Sequence, residues 1–421
     1  MKKSIFDIQN RWLMVTVSSF VICLFSFSPA MAQDDIDFPE AMYEDVDSLL
    51  SIYHAKTYLT TDKNCQSSNI NPTYAPEVYM DRLQRMPTVM EMPYNDVVQT
   101  FIDRYTSRLR NMVSVMLGAS NFYMPLFEEA LETYQLPLEL KYLPIIESAL
   151  KPTAVSHAGA TGLWQFMLTT AKDYGLTINS LVDERRDPVM ASYAAARYLN
   201  DLYKIFGDWS LVIAAYNCGP ANITKAIHRA GGERDYWKIY PYLPKETRGY
   251  VPAFIAANYV MNYYCEHNIC PMECELPIKT DTVVVSRNIH LEQIASVLDI
   301  DIDMLRALNP AYRRDIVPGA TQPTAIRMVP ADAARFIDLE ETIAAYRADE
   351  LLPKRTIAPV ETAEAESTSR SGRSGSKYVT VRKGDSLGAI ARRNGISVNR
   401  LRQLNGIKGN NIMAGKKLRV R

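Results

Sequence analysis

Two stretches in the last third of the sequence match each other at a constant offset of 96 residues. Each stretch opens with an extended apolar segment (VVVS and YVTV), passes through two short helical patterns and returns through a second apolar segment. Because the match needs no gap over many positions, it predicts two copies of one small βααβ module. The matched pairs are Leu291 and Leu387, Ile294 and Ile390, Ala295 and Ala391, Ile300 and Ile396, Leu305 and Leu401, Leu308 and Leu404, Asn309 and Asn405, Ile316 and Ile412, and Gly319 and Gly415.

These repeats set the domain plan of a chain of 421 residues, which is enough for about two to three domains. We expect the first copy at 280–331 and the second at 377–421, with a helical segment and a flexible linker at 332–376. The linker ends in ETAEAESTSRSGRSGSK, whose polar composition cannot bury a core. Upstream we expect a helical domain at 96–275, preceded at 33–95 by a Tyr-rich, partly helical arm.

The expected helical domain shows its clearest helix in DPVMASYAAARYLNDLYKIFG. Asp187 is a favourable N-cap, Pro188 suits the first helical position, and Gly207 is placed to end the helix. The next segment, SLVIAAYN, is apolar on almost every side, which predicts a central helix. Since few segments alternate as strands do, we expect an all-α domain. One apolar face of the first helix is formed by Ala195, Tyr198, Leu199, Leu202 and Phe206.

The first 32 residues have the features of a secretory signal. A basic start, an apolar stretch over 12–27 and the sequence AMA at 30–32 predict cleavage after Ala32. The alternative, an uncleaved membrane anchor, is disfavoured because the apolar stretch is short for a bilayer span. We therefore expect an exported protein of the periplasm or cell envelope, in an envelope of the Gram-negative type, with no integral membrane segment after cleavage.

Charge is distributed unevenly, although the whole chain carries 47 basic and 47 acidic residues. The stretch 377–421 contains 12 Lys or Arg and a single acidic residue, Asp385. A basic terminal module favours an anionic partner, such as a glycan–peptide polymer or a nucleic acid. Because we expect export, we expect no nucleic-acid partner.

Five cysteines follow the signal segment, so at least one thiol has no partner within the chain. Cys265, Cys270 and Cys274 form a cluster that suggests either a zinc site or a local disulfide. The spacing lacks the second pair of ligands that a structural zinc site needs. The local disulfide is therefore favoured, and we expect neither a metal nor a cofactor. The other two cysteines are Cys65 and Cys218.

A candidate acid lies in the segment PIIESAL. Glu147 is near the end of a helical stretch that begins at about Leu138 and stops before Pro152. The two isoleucines before it exclude water, and desolvation raises a carboxyl pKa as a general acid at neutral pH requires. On this fragment alone, a solvated charge at a helix end is the commoner case.

Two further segments carry polar groups suited to a sugar site. In VSHAGATGLWQFM, a Gly-rich turn precedes Trp164 and Gln165, which could stack on a sugar ring and bond its hydroxyls. The plainer alternative is a buried tryptophan and a capping glutamine. In AAYNCGP, Tyr216 and Asn217 stand at a helix end, where they could cap the helix or line a cleft.

Taken in order, these segments resemble the Slt-type lytic transglycosylases over roughly residues 96–265. The resemblance rests on ES, then GLWQFM about 15 residues on, then AYN, then the tyrosine of ETRGYVPAF. The segment LPLELKYLPIIESAL looks like the branch of membrane-bound lytic murein transglycosylase D. The βααβ copies resemble LysM modules, and YVTVRKGDSLGAIA matches the opening of that family. This implies a mainly α, lysozyme-like (goose-type/Slt) catalytic domain followed by two LysM-type modules, the first degenerate.

The resemblance implies cleavage of peptidoglycan between N-acetylmuramic acid and N-acetylglucosamine, with 1,6-anhydromuramic ends, in cell-wall turnover. Glu147 matches the catalytic position and would act first as acid and then as base, and the motifs around it offer no second acid. Two alternatives stay open: a hydrolase like the goose-type lysozymes, and a non-catalytic protein that binds peptidoglycan. The mass of the product separates the transglycosylase from the hydrolase, because the two products differ by one water.

The remaining site residues follow from the same resemblance. Ser148 and Ser156 match positions that orient the glutamate or the sugar. Cys218 is interpreted as a packing or disulfide residue, and Ala221 stands where the family has glycine, which puts the loop geometry in doubt. The family's cleft positions correspond in this chain to Gln165, Met167, Tyr216 and Asn217. Tyr250 matches the family's tyrosine that faces the glutamate.

In the second LysM copy, two loops would frame a shallow groove for N-acetylglucosamine. The first copy has Asn-Ile-His at 288–290 in place of Gly-Asp-Ser, so we expect a structural or weak role for it. Glycan strands of peptidoglycan are the expected partner, and no protein partner is indicated. The expected groove residues are Gly384, Asp385, Ser386, Leu387 and Asn405.

Overall fold

The computed structural model describes residues 37–43, 68–352, 378–381, 386–394, 398–407, 413 and 415–420. The signal segment expected at 1–32 and the linker residues 353–377 lie outside the described residues. Within the described part of the chain, every helix falls short of the length and apolar character that a bilayer span requires.

Helices α1 to α11 precede the first strand and form the helical domain with the residues between them. They are α1 Pro76–Arg85, α2 Asp96–Thr106, α3 Arg110–Thr133, α4 Leu143–Ser148, α5 Leu168–Asp173, α6 Pro188–Phe206, α7 Trp209–Cys218, α8 Pro220–Arg229, α9 Tyr236–Ile239, α10 Lys245–Arg248 and α11 Tyr250–Asn262, with 3-10 helices at Glu40–Tyr43, Leu138–Tyr142, Tyr240–Tyr242 and Cys265–His267.

Helix α6 begins and ends as its sequence predicts. The side chain of Asp187 accepts hydrogen bonds from the backbone N–H groups of Val189 and Met190, and Pro188 occupies the first helical position. Gly207 ends the helix in the left-handed conformation, with φ of 67°. The buried face of α6 includes Ala195, Leu199, Leu202 and Phe206, with Tyr198 partly buried beside them.

Two apolar helices occupy the centre of the helical domain. The prediction of a central helix in SLVIAAYN is confirmed, because residues 211–215 of α7 are all buried. Helix α11 is buried from Tyr250 to Met261 and packs along α2. Such helices bury apolar side chains all round, and they fix the cleft that lies at their ends.

The described parts of the expected N-terminal arm belong to this same core. Ala41 and Met42 of the 3-10 helix, and Tyr79 and Leu83 of α1, are buried in the main hydrophobic cluster. The 3-10 helix Glu40–Tyr43 packs on α4. The sequence did not indicate this packing because it joins segments that are far apart in the chain.

The predicted βααβ repeats are present as two modules. The strands are β1 Asp281–Val285, β2 Asn288–His290, β3 Ile316–Pro318, β4 Thr324–Met328, β5 Tyr378–Thr380 and β6 Lys417–Arg419. The helices are α12 Leu291–Leu298, α13 Ile302–Leu308, α14 Pro330–Ala345, α15 Ala348–Leu351, α16 Leu387–Arg393 and α17 Val398–Asn405, with a 3-10 helix at Arg313–Asp315. Strand β1 pairs antiparallel with β4, and β5 pairs antiparallel with β6.

The first module is larger than its repeat pattern predicts. Strands β2 and β3 form an additional antiparallel pair. Helix α14 follows the returning strand, and its residues Ala333, Phe336 and Ile343 are buried in the module's own cluster. Helix α14 therefore belongs to the first module, whereas we expected a boundary at 331.

The cysteine cluster after α11 differs from its prediction. In the structure Cys265, Cys270 and Cys274 are not joined to one another by a disulfide, so the local disulfide expected from their spacing is wrong. Among the described residues no group of three His, Cys, Asp or Glu side chains is arranged to hold a metal ion.

Candidate active site

Glu147 lies on the last turn of α4, a helix of six residues that follows directly on a 3-10 helix. The helix ends because Ala149 and Leu150 both adopt left-handed backbone conformations, with φ of 49° and 63°. The N–H of Ala149 bonds the carbonyl of Ile145 at 3.2 Å and closes the helix end. This abrupt ending lets the carboxyl group of Glu147 project beyond the helix into a cleft.

The carboxyl group of Glu147 is held among apolar and phenolic side chains. Ile146 lines the same cleft, and the hydroxyl of Tyr250 donates a hydrogen bond to Oε1 of Glu147. Burial raises the pKa of Glu147 to about 8, the Tyr250 hydrogen bond opposes this, and the charges of Glu246 and Glu40 add to it. The carboxyl group is therefore protonated at neutral pH and can act as a general acid.

The cleft has a volume of about 400 Å³ and brings together residues from six parts of the chain. Six of the seven residues that the resemblance assigned to substrate binding line it together with Glu147. These six are Ser156, Gln165, Met167, Tyr216, Asn217 and Tyr250.

A tight loop over residues 155–167 forms one wall of the cleft. Thr161 and Phe166 exchange backbone hydrogen bonds at 3.1 and 3.2 Å. Gln165 has a left-handed backbone with φ of 46°, and its Nε2 donates to the carbonyl of Gly162 at 2.8 Å. The amide side chain is thus fixed within the loop while it borders the cleft.

The AYN segment forms the opposite wall. The hydroxyl of Tyr216 donates to the carbonyl of Trp164 at 2.8 Å, and Oδ1 of Asn217 accepts from the hydroxyl of Thr247 at 2.9 Å. Ala221, which departs from the family pattern, is exposed in α8 and does not line the cleft. The turn depends instead on Gly219, whose φ is 83°.

Two interpretations of the sequence are corrected by burial. Ser148 does not line the cleft: it is 1% exposed, and its Oγ lies 3.0 Å from the carbonyl of Pro144 and 2.9 Å from that of Leu163. It ties α4, which carries Glu147, to the loop wall, so it can orient the glutamate but is too buried to bind a sugar in the cleft. Trp164 is fully buried, and its Nε1 donates to Oγ of Ser192 at 2.9 Å, so it belongs to the core and cannot stack on a sugar.

The motifs missed two acidic residues of the cleft, so the expectation that no second acid stands near Glu147 is wrong. Glu246 lines the cleft and is the first residue of ETRGY, four residues before Tyr250, so the motif itself contained a signal for it. Glu40 comes from the 3-10 helix that packs on α4 and had no sequence signal, because it is more than 100 positions from Glu147.

The wall that carries Glu40 is anchored by aromatic contacts. Phe38 packs edge-on against Phe101 with ring centroids 4.8 Å apart. The guanidinium of Arg104 lies 3.9 Å from the centroid of the Phe38 ring. A Cβ at Gly249 would come within 2.3 Å of the carbonyl oxygen of Asp37, so only glycine allows the segment to approach.

Only three of the five predicted LysM groove residues lie within the described part of the chain. Gly384 and Asp385 lie outside the described residues. Ser386 is exposed, and its Oγ accepts a hydrogen bond from the N–H of Ala389 at 3.2 Å, as a helix N-cap does. Leu387 is 3% exposed and belongs to the module core, so it is not a groove residue.

Asn405 is also structural, because its amide closes the second module. Its Nδ2 donates to the carbonyls of Leu401 and Arg419, each at 2.8 Å, and its Oδ1 accepts from the N–H of Arg419 at 2.7 Å. Asn309 makes the same three bonds in the first module. The matched asparagines therefore mark a shared fold, and the assignment of Asn405 to glycan binding stays a prediction.

Comparison with known proteins agrees with this architecture. Residues 125–239 match the Transglycosylase SLT domain. Residues 279–345 match the LysM-like domain of lytic transglycosylase MltD, and residues 379–421 match the LysM domain. The fold and the cleft thus define a lytic transglycosylase with LysM-type modules.

The relatives place the chain more narrowly. It is 31% identical to membrane-bound lytic murein transglycosylase D of Escherichia coli K12 over 337 residues, which cover 79% of this chain and 70% of that protein. The chain belongs to the family of that transglycosylase. It is also 32% identical to the soluble lytic murein transglycosylase of E. coli K12 over 124 residues, 28% of this chain and 19% of that protein.

A solved structure of the 70 kDa soluble lytic transglycosylase from E. coli aligns with 42% of this chain and 31% of its own, at 22% identity and a TM-score of 0.33.

Proposed function

We propose that the chain is a peptidoglycan lytic transglycosylase that cleaves between N-acetylmuramic acid and N-acetylglucosamine and leaves 1,6-anhydromuramic ends. One observation carries the proposal: the carboxyl group of Glu147 borders the cleft, its pKa is raised to about 8, and its Oε1 accepts a hydrogen bond from Tyr250. A group with that pKa can give a proton and take one back near neutral pH.

In the first step, protonated Glu147 gives its proton to the glycosidic oxygen. The bond between that oxygen and the muramic anomeric carbon breaks, the electron pair stays with the departing oxygen, and the substrate's acetamido oxygen stabilises the anomeric carbon. Glu147 is now a carboxylate, and the Tyr250 hydroxyl stabilises its charge.

In the second step, the Glu147 carboxylate takes the proton of the muramic C6 hydroxyl. The C6 oxygen then forms a bond to the anomeric carbon and displaces the acetamido oxygen. The product is a 1,6-anhydro sugar, no water is consumed, and Glu147 is protonated again for the next cycle.

The second candidate function is hydrolysis, and the acidic residues of the cleft favour it. Most glycosidases use two carboxylates, and both Glu40 and Glu246 line the cleft with Glu147. Either carboxylate could activate a water to attack the anomeric carbon. The product would then have a reducing end that is heavier by one water.

We further propose that the enzyme is exported by cleavage after Ala32 and acts on peptidoglycan in the periplasm. Two of the relatives are murein transglycosylases of E. coli, one of them named as membrane-bound. The basic stretch 377–421 supports binding to an anionic wall polymer. Deletion of 377–421 should weaken binding to the wall and leave the cleavage of short soluble glycans nearly unchanged.

The direct test uses Glu147→Gln, which keeps the size of the side chain and an acceptor for Tyr250. The variant should no longer clear the turbidity of purified peptidoglycan, although it should still sediment with it. Glu132→Gln, at an exposed position of α3, is the matched control and should clear the suspension like the wild type. Clearing that persists in Glu147→Gln would contradict the assignment of Glu147.

A further inference from the structure

The first LysM-like module is joined to the catalytic domain by backbone hydrogen bonds. The N–H of Asp183 donates to the carbonyl of Ala311 at 2.9 Å, and the N–H of Arg313 donates to the carbonyl of Leu181 at 2.6 Å. The residues between them pair as an antiparallel bridge. In addition, Leu308 of α13 is buried in the main core cluster of the catalytic domain. The two parts therefore share a hydrogen-bonded and apolar junction.

A buried carboxylate lies in this junction. Asp183 is fully buried, and Arg185 donates to its two oxygens at 2.9 and 2.8 Å. Arg313, which comes from the module, places a guanidinium nitrogen 3.6 Å from Oδ2 of Asp183. Burial would raise the pKa of Asp183, but the hydrogen bonds and charges of Arg185 and the charge of Arg313 outweigh it and lower the pKa. The carboxylate thus stays ionised and holds both cations.

Arg185 connects the junction to the cleft wall. Its Nη1 donates to the carbonyls of Gly159 and Phe166, at 3.2 and 3.3 Å. The carbonyl of Arg185 lies so close to Gly162 that a Cβ there would come within 1.7 Å of it. The loop 159–166, which carries the cleft residue Gln165, is therefore held at both ends and at its middle by one side chain and its backbone.

We propose that the first LysM-like module is a fixed support of the catalytic cleft, and that Arg313 and Asp183 are positioning residues for the loop 159–166. The module acts on cleavage through Asp183 and Arg185, whatever glycan it binds. When the Arg313 contact is lost, Arg185 is the remaining one of these two partners of the Asp183 carboxylate. The module then loses one of its contacts with the helical domain. The loop then opens more often, and Gln165 and Phe166 leave their places in the cleft wall.

Arg313→Ala tests this coupling, and Arg287→Ala is its control. Arg287 is an arginine of the same module, but its partners, Glu340 and Glu341, lie within the module. Because Arg313 is only partly buried, the variant is expected to fold, which thermal melting checks. Arg313→Lys keeps a cation at the position, so its loop exchange and its kcat/KM should lie between those of Arg313→Ala and the wild type.

Hydrogen exchange measured by mass spectrometry gives the first readout, because the amides of Thr161, Gly162 and Phe166 are hydrogen-bonded and exchange only when the loop opens. Their exchange should speed up by between about two- and thirty-fold in Arg313→Ala, as expected for coupling across a contact network. The exchange of Arg287→Ala should match the wild type.

Cleavage of a short soluble glycan gives the second readout, and it rests on the proposed function. The kcat/KM of Arg313→Ala should fall below the wild-type value, by no more than that factor because only the closed loop is competent, and Arg287→Ala should keep the wild-type value. Equal loop exchange and equal kcat/KM in the two variants would overturn the proposal. If the wild type cleaves no glycan, the proposed function fails, and the exchange measurement still decides whether the module supports the loop.

Discussion

A buried carboxyl group that titrates near pH 8 must destabilise the fold in alkaline solution. In the unfolded chain Glu147 loses its proton near pH 4.5, whereas in the folded protein it keeps the proton up to about pH 8. The folded state therefore binds more protons between these values, and its stability falls as the pH rises through them. Below pH 4.5 both states are protonated and this contribution is fully present.

The magnitude follows from the two pKa values. Between pH 4.5 and about 8, linkage removes about 1.4 kcal/mol of unfolding free energy per pH unit, up to about 5 kcal/mol in total. One side of Glu147 faces the water of the cleft, so the measured loss should be smaller, about 2–4 kcal/mol. Glu147→Gln removes the titration, and at pH 9 the variant should exceed the wild type in stability by that amount.

Urea unfolding at pH 4.5 and pH 9 measures the difference. Without the signal segment the tryptophans are Trp164, Trp209 and Trp237, which all lie in the catalytic domain, so their fluorescence reports that domain alone. Glu147→Gln and the wild type should unfold alike at pH 4.5 and differ at pH 9, whereas Glu132→Gln should follow the wild type at both. An equal stability of Glu147→Gln and the wild type at pH 9 would show that the pKa of Glu147 is not raised in the folded protein.

Three further predictions concern the same cleft. Tyr250→Phe removes a hydrogen bond to the Glu147 carboxylate, so kcat should fall by the equivalent of about 1.5–3 kcal/mol. Because that bond lowers the pKa of Glu147, the alkaline limit of kcat/KM should also move above the value of about 8 expected for the wild type. An unchanged pH profile would argue against the contact. Glu40→Gln removes a negative charge that raises the pKa of Glu147, so the alkaline limit should move below the wild-type value, and an upward shift would contradict the prediction. Gly162→Ala should lower the melting temperature far more than Gly159→Ala. Both glycines have positive φ, but only at Gly162 would the added Cβ come within 1.7 Å of a carbonyl oxygen. Equal melting temperatures would show that the backbone of the loop can shift to make room for the Cβ.

Local patterns in the sequence predicted the elements of the fold. The cap at Asp187, the stop at Gly207 and the βααβ repeats depend on neighbours in the chain or on a constant offset, and the structure has all of them. The elevated pKa of Glu147 was also predictable, since the apolar residues before it were visible in PIIESAL.

Contacts between distant segments could not be predicted in this way. Glu40 enters the cleft only because residues 37–43 pack on α2 and α4. Ser148 and Trp164 stand beside functional residues in their motifs, but each makes hydrogen bonds to buried groups. Only their burial shows that they are structural residues and not substrate-binding ones. Asn405 matched Asn309 in the repeat, and that match marked a structural hydrogen bond shared by both modules.

In the proposed mechanism Glu147 acts without water as a co-substrate, although two other carboxylates share its cleft. Mass spectrometry of the fragments released from purified peptidoglycan distinguishes this mechanism from hydrolysis. The proposed mechanism predicts that the new muramic ends are 1,6-anhydro sugars, and that Glu147→Gln releases none. Fragments with reducing ends heavier by one water would contradict it and assign hydrolysis to the cleft.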